Sequence, residues 1–367
     1  MRDYTYEIAL TMIPGLGRTS TRHLVQVIDS AEALFSMTRS DLRQLFGQRT
    51  AIIDAIVNKT MMAEAEKEMK FVEKHQIQVL YYNEPAFPQR LNRSDCDDCP
   101  VVLYFIGNAD LNATKAISVV GTRHSTPEGR EATAKIVSGF SGMNMLVVSG
   151  LALGIDSCAH TAALNCQLPT VGVLGHGLDL IYPSQNRNLA KNMLECGGLI
   201  TEMPSGTHLH PKLFPARNRI IAAMSDATLV VEAASSGGAL ITANIASGYH
   251  RDLFAVPGRI SDKYSEGCNA IIASHKAILV RNANDIMNNM GWEPANSNKG
   301  RQTELFPTLK GDEQTIYQLI GQHSDGCTVD DMRSLCDLPL PKIATALLGL
   351  ELKGLCVCLP GKIYKTL

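Results

Sequence analysis

Met145-Leu-Val-Val-Ser-Gly-Leu-Ala-Leu-Gly-Ile-Asp156 carries an apolar run into a glycine turn, and the turn into a helical pattern that continues through Ala159 and His160 to Leu164. A run that is apolar at successive positions, not alternate ones, reads as a strand covered on both faces. The same reading applies at Ile117–Gly121, Thr170–Gly175, Gly198–Thr201, Ala227–Glu232, Asp252–Pro257 and Ala277–Val280. Helical patterns at Gly129–Phe140, Asp156–Leu164, Arg187–Glu195 and Ala216–Met224 lie between these runs. Buried strands alternating with helices predict an α/β fold, a doubly wound parallel sheet over residues 76–281.

Outward from this centre the patterns change. Residues 1–75 read as helices, with apolar positions at helical spacing in Arg22–Leu34 and Ala51–Val72 and a turn at Ile13-Pro-Gly-Leu-Gly17. Residues 282–311 are rich in Asn, Pro and Gly and read as a linker. Residues 312–367 predict three helices, Glu313–Gly321, Val329–Cys336 and Pro341–Lys353. Two strands then follow, Leu355–Leu359 and Ile363–Lys365, around a turn at Pro360-Gly361-Lys362, which is a winged-helix pattern.

A chain of 367 residues is too long for one ordinary domain. Its 45% hydrophobic and 19% charged residues exclude long disorder. No apolar run reaches the ~18–20 residues of a membrane span, and residues 1–17 place acids beside their short apolar stretch, unlike a secretory signal. The expected location is cytoplasmic, with no membrane partner. A net charge of −2 excludes a uniformly basic nucleic-acid coat but leaves room for a local basic groove, because phosphates respond to charges within ~8–10 Å. Ten cysteines are scattered, several in apolar runs (Cys158, Cys166, Cys356, Cys358). Cys96 and Cys99 make a C-x-x-C with no second pair to complete a zinc site, so no metal and no cofactor are expected.

The candidate functional residues follow successive strands, and in an open α/β sheet ligands bind beyond the strands' C-terminal ends. After the first buried strand, Gly121 permits a tight turn and Arg123 offers a guanidinium fork suited to phosphate. After the next, Gly150 opens a turn whose backbone N–H groups lead into a helix. Asp156 there is read as a helix cap, with His160 on the same helical face. Gly175-His-Gly-Leu-Asp-Leu180 lacks the last glycine of a dinucleotide fingerprint, which argues against NAD. Pro211-Lys-Leu-Phe-Pro-Ala-Arg-Asn-Arg219 is the densest cluster: Lys212, Arg217 and Arg219 supply charge, Phe214 a flat face and Asn218 an amide. Basic groups interleaved with an aromatic suit a single-stranded nucleic acid. Ser236, Gly237 and Gly238, with Thr242 following, read as a phosphate cradle at a helix start. Ala255-Val-Pro-Gly258 and Gly267-Cys-Asn269 complete the rim. All should converge on one edge of the sheet.

These motifs, taken in order (VGTR at 120–123, SGLALGID at 149–156, LGHGLDLIYP at 174–183, PKLFPARNRII at 211–221, SGGALITA at 236–243 and AVPG at 255–258), resemble those of the DNA-processing protein A (DprA/Smf) family. The resemblance covers residues ~100–280. It implies an extended Rossmann-like domain flanked by an N-terminal helical SAM-like domain and a C-terminal winged helix. It further implies a non-catalytic protein that binds and protects single-stranded DNA, forms a homodimer and helps load the RecA recombinase during natural transformation and homologous recombination. By motif, Arg123, Lys212, Phe214, Arg217, Asn218 and Arg219 line the DNA pocket, beside the Gly121, Gly150, Ser236, Gly237, Gly238 and Thr242 loops. The Ile13–Gly17 turn resembles a helix-hairpin-helix hairpin, with a packing turn as the alternative.

Two other functions fit parts of the chain. LOG-like phosphoribohydrolases share a Gly-Gly loop and release base from nucleoside monophosphates, but their catalytic glutamate has no counterpart in Ser236–Asn244, leaving Glu202 and Glu232 as candidate acids. A transcription regulator would read duplex DNA through Pro341–Lys353, but that helix is mostly apolar, which favours protein contact.

Overall fold

A computed structural model of the chain describes residues 2–93, 96–292, 309, 311–323, 326–336, 338–353, 355–359 and 363–366. It separates into two compact units, Met1–Asn296 and Ser297–Leu367.

The first unit is built on one sheet of nine strands: β1 (Gln78–Tyr81), β2 (Val102–Gly107), β3 (Lys115–Val120), β4 (Met145–Ser149), β5 (Thr170–Val173), β6 (Gly197–Thr201), β7 (Ala227–Val230), β8 (Asp252–Ala255) and β9 (Ile278–Leu279). Their order is β1-β2-β6-β5-β4-β3-β7-β8-β9. Every pairing from β6 across to β9 is parallel, as expected. The expectation of a parallel sheet is corrected at one edge, where β1 pairs with β2 and β2 with β6 antiparallel. Among the described residues no helix of the βαβ kind separates β1 from β2, so the alternation that marks the other strands is missing there.

Six helices precede the sheet: α1 (Thr5–Thr11), α2 (Arg18–Val27), α3 (Ala31–Ser36), α4 (Arg39–Phe46), α5 (Thr50–Val57) and α6 (Met62–Lys74). The helical spacing over Arg22–Leu34 is shared by two helices, α2 and α3, because the Ser30 hydroxyl accepts the Ala33 N–H and starts α3 afresh. These helices bury Ile8, Leu10, Leu34, Leu42, Ile53 and Ile56 in one core with Val79, Tyr81, Val102 and Tyr104 of β1 and β2.

The central strands are covered on both faces. Between and after them run α7 (Pro127–Ser138), α8 (Ile155–Asn165), α9 (Arg187–Met193), α10 (Leu213–Ala223), α11 (Gly238–Gly248), α12 (Glu266–Ala273) and α13 (Ala283–Met290). Ile117, Val119, Met145 and Val147 pack with α7, α8 and α13. Their neighbours Ala116, Val120, Leu146 and Val148 pack with α10, α11 and α12. Side chains alternate across a strand, so two buried faces demand apolar residues at every position. The chain leaves β3 towards β4 on one side, while β7 lies on its other side. This reversal of winding direction opens a crevice beyond the C-terminal ends of β3 and β7.

The linker expected over 282–311 does not begin at 282. Asn282 caps α13 through the Asp285 N–H, and Ala283, Ile286 and Met287 are buried with Ile136 and Val137 of α7. The asparagines of this stretch lie among an apolar stripe at helical spacing. Residues 293–308 lie outside the described residues.

The second unit contains α14 (Asp312–Gly321), β10 (Cys327–Thr328), α15 (Val329–Leu335), α16 (Leu340–Leu352), β11 (Cys356–Leu359) and β12 (Ile363–Thr366). Its three strands pair antiparallel in the order β10-β12-β11. Ile316, Ile320, Met332, Ile343, Leu347 and Leu350 form its core. This is the winged-helix arrangement expected; the turn at 360–362 lies outside the described residues.

Ile286 is fully buried. Ile286→Ala is expected to lower the unfolding free energy by ~2–5 kcal/mol, as truncation of a core aliphatic does. Denaturant titration checks this; an unchanged midpoint would return the segment to linker.

Candidate nucleic-acid interface

The crevice at the β3/β7 switch holds a cleft of about 760 Å³. Its walls bring together Gly121, Arg123, Phe214, Arg217, Asn218, Ser236, Gly237, Gly238 and Thr242. Nine of the twelve sequence-predicted residues therefore meet in one place.

The floor rests on Arg217. Its guanidinium is buried, and Nη1 donates to the Gly150 carbonyl at 2.7 Å and to the Val173 carbonyl. Gly150 is required there: a Cβ would lie 2.6 Å from the guanidinium. Gly150 thus makes room for Arg217 and does not line the main cleft. Burial lowers the Arg217 pKa to about 10, with Asp156 opposing that shift and Arg123 adding to it. The side chain stays cationic at neutral pH, and its Nε has no partner among the described residues.

Arg123, at the end of β3, is exposed, with its guanidinium carbon 5.7 Å from the Phe214 ring centroid. Phe214 stands in turn 5.6 Å from Tyr182, the rings tilted by 38°. Helix α10 starts three residues before the expected Ala216, which places Phe214 in its first turn. Pro215 follows there without cost, because first-turn N–H groups have no helical partner.

The opposite wall is the start of α11. Gly237, at φ 151°, caps the helix in a conformation that disfavours a side chain. The Asn218 Nδ2 donates to the Gly238 carbonyl at 3.2 Å, and the Thr242 hydroxyl donates to it at 3.0 Å. These bonds tie α10 to the loop and leave the helix N-terminus facing the cleft, where its N–H groups favour an anion.

Among the lining residues that escaped the sequence reading are His124, Lys263 and Tyr264. The His124 and Tyr264 rings stack with centroids 6.4 Å apart. Lys263-Tyr264 follows no strand directly. It reaches the cleft because Asn269 bonds both the N–H and the carbonyl of Gly258, and because the Ala233 N–H donates to the Tyr264 carbonyl.

Besides Gly150, two predicted residues lie outside the cleft. Arg219 is corrected: its buried guanidinium donates to Glu202, lies 3.8 Å from Asp98, and does not line the cleft. At 100° per residue, positions 217 and 219 on one helix point ~200° apart, so both cannot face the same cleft. Lys212, at the N-cap of α10, is exposed and outside the lining.

Asp156 does not cap α8 but accepts the N–H groups of Gly150 and Ala152, at 3.2 and 3.3 Å, fixing the preceding loop. Burial raises its pKa, with the Arg217 charge opposing. His160 is fully buried with Nδ1 2.7 Å from the Thr170 hydroxyl. Glu232 is occupied by the Thr126 backbone and hydroxyl at the start of α7, at 3.0 and 2.5 Å. Glu202 is occupied by Arg18 and Arg219. Asp156 is the one carboxylate among the described lining residues.

Fold and site together define a doubly wound α/β protein with a cationic, aromatic-walled cleft at its switch point and a winged-helix unit after it. Residues 78–291 match the family described as DNA recombination-mediator protein A, and residues 302–362 match the DprA winged helix domain. The chain belongs to this DprA/Smf family of DNA-processing proteins. Protein Smf of Synechocystis sp. is 32% identical over 322 residues, covering 86% of this chain and 78% of the relative. Escherichia coli Protein Smf is 34% identical over 270 residues, 72% of this chain and 71% of the relative. The X-ray structure of DNA processing protein A from Streptococcus pneumoniae aligns with a TM-score of 0.67 at 31% identity, covering 78% of this chain and 98% of that one. The Helicobacter pylori protein, described for its single-stranded DNA binding mode, aligns at 0.52 and 27% identity, covering 59% and 95%.

Burial holds His160 neutral, with its pKa lowered to about 3 and Arg217 adding to the shift. The unfolded chain, with a pKa near the usual ~6.5, takes up the proton first as pH falls. The stabilisation is present above about pH 6.5 and is lost progressively towards pH 3. His160→Gln is expected to flatten this part of the stability profile by up to ~1.4 kcal/mol per pH unit, read from urea titrations at stepped pH. Parallel profiles for both proteins would exclude a buried neutral imidazole.

Proposed function

We propose that the cleft binds the backbone of single-stranded DNA, with Arg123 and the α11 N-terminus holding phosphates while Phe214 and Tyr182 stack bases. The observation that carries this reading is the Arg123 guanidinium above the Phe214 ring, opposite an open helix N-terminus in one cleft. A guanidinium fork fits phosphate oxygens, and a flat ring takes any base, so the pair recognises a strand with little regard to sequence. Arg217 contributes fixed charge beneath the site. Its carbonyl bonds also make it a positioning residue. The Helicobacter pylori relative's described binding of single-stranded DNA supports the same ligand here.

The wider role follows the family: a cytoplasmic homodimer that protects incoming single strands and helps load RecA during transformation and recombination. A mediator needs no catalytic acid. Glu202 and Glu232, the acids that a phosphoribohydrolase would draw on, are each engaged in structural bonds. In the winged-helix unit, Lys342 and Lys353 pair with Asp312 and Glu313, which favours protein contact over duplex readout.

Arg123→Ala is expected to weaken binding of all single-stranded oligonucleotides and to reduce the log–log salt slope by ~0.7 for each phosphate that the side chain neutralises. Phe214→Ala should weaken binding by ~1–3 kcal/mol and leave the slope in place. Fluorescence anisotropy across a salt series checks both. Wild-type affinities and slopes in both variants would remove the strand from this cleft, and base released from AMP would restore the enzyme reading.

A further inference from the structure

The cleft does not end at Arg123. A second groove of about 600 Å³ lies between α7 and α8, on the far side of the loop that follows β3. Arg123 and His124 line both spaces. A small cavity of about 60 Å³ joins them, sharing Arg123, Tyr182 and Phe214 with the cleft and Arg123 and Leu153 with the groove. Leu153 and Tyr182 are unusually open for large apolar side chains, at 40% and 44% exposure.

The groove's chemistry matches the cleft's. α7 supplies Arg130, and α8 supplies Ser157, Thr161 and Asn165. No carboxylate is among its described lining residues, although Glu128 and Glu131 flank Arg130 in α7. Arg130 is exposed and makes no ion pair among the described residues; its Nη1 donates to the Ser125 carbonyl at 2.7 Å. That bond fixes the arginine to the same loop that carries Arg123. A trough edged by the hydroxyls of Ser157 and Thr161 and the amide of Asn165, with a tethered cation and no carboxylate among its described lining residues, adjoins the proposed phosphate site and suits more of the same polyanion.

We propose that the single strand crosses the ridge formed by residues 121–125 and that the α7/α8 groove binds the sugar–phosphate backbone of the nucleotides beyond the cleft, with Arg130 as a phosphate ligand. Leu153 and Tyr182 offer apolar surface to bases at the crossing. This inference rests on the cleft holding single-stranded DNA, and extends the site from a pocket to a track.

The experiment compares oligothymidylates of about four and about sixteen nucleotides, a range that spans typical single-strand site sizes. Arg130→Gln should bind the short oligomer as wild type does. It should bind the long one roughly tenfold more weakly at low salt, with a salt slope smaller by ~0.7. Asn165→Lys, which adds a cation to the exposed groove wall, should strengthen binding of the long oligomer alone. Arg123→Ala should weaken both lengths. If Arg123→Ala weakens both while Arg130→Gln and Asn165→Lys leave the long oligomer unchanged, the groove proposal fails and the cleft stands. Equal weakening of both lengths by Arg130→Gln would place Arg130 within the cleft itself and overturn the track. If Arg123→Ala changes neither length, the cleft reading itself fails.

Discussion

Arg217 carries its charge into the interior and is held there by the carbonyls of Gly150 and Val173, at the ends of two neighbouring strands. Burying a cation is costly unless its donors are satisfied and an opposite charge lies near. Both conditions depend on local backbone. Gly150 vacates the volume that the guanidinium fills, and Asp156 gathers the amides of the Gly150 turn while facing the same charge. The ends of β4 and β5, the first turn of α8 and the middle of α10 are joined through this one group. Phe214, one turn earlier on α10, takes its position from the same anchor, and Arg123 takes its position over Phe214.

This construction explains how a chain with a net charge of −2 presents a surface suited to a polyanion. The acids near the cleft are spent internally: Glu232 starts α7, Glu202 pairs with two arginines, and Asp156 binds loop amides. Arg123 and Lys263 form no ion pair among the described residues, and both line the cleft. Phosphate responds to this local excess and not to the sum over the chain, because charges beyond a Debye length are screened.

Much of this arrangement was legible in the sequence, for a definite reason. Strands covered on both faces must be apolar throughout, and the glycine turns that follow them stand out against that background. Convergence of the turns on one sheet edge then follows from parallel topology alone. The antiparallel edge was not legible, since no α-helix lies between β1 and β2 among the described residues. His124, Lys263 and Tyr264 were missed because the loops carrying them are shaped by distant bonds, such as Asn269 to Gly258. Helix α13 was read as linker because its asparagines drew more weight than the spacing of Ile286, Met287 and Met290.

The misreading of Arg219 has a different origin and a structural consequence. A cluster of basic residues in sequence looks like one site, yet helical geometry sends Arg217 and Arg219 to different sides of α10. Arg219 meets Glu202, which also receives Arg18 at 3.0 Å. Arg18 opens α2 directly after the Ile13–Gly17 turn. That turn, read as a candidate hairpin for DNA phosphates, therefore delivers a side chain to a carboxylate on the sheet. Within the turn Gly15 adopts φ 78°, Ile13 is buried, and Gly17 is the N-cap of α2. One helix thus does two jobs through residues two apart. Its Arg217 face builds the cleft, and its Arg219 face fastens the N-terminal helices to the sheet. Loss of the Glu202 carboxylate would leave the buried Arg219 charge with the more distant Asp98, at 3.8 Å, so the Glu202 pair is part of what fixes α10 in place.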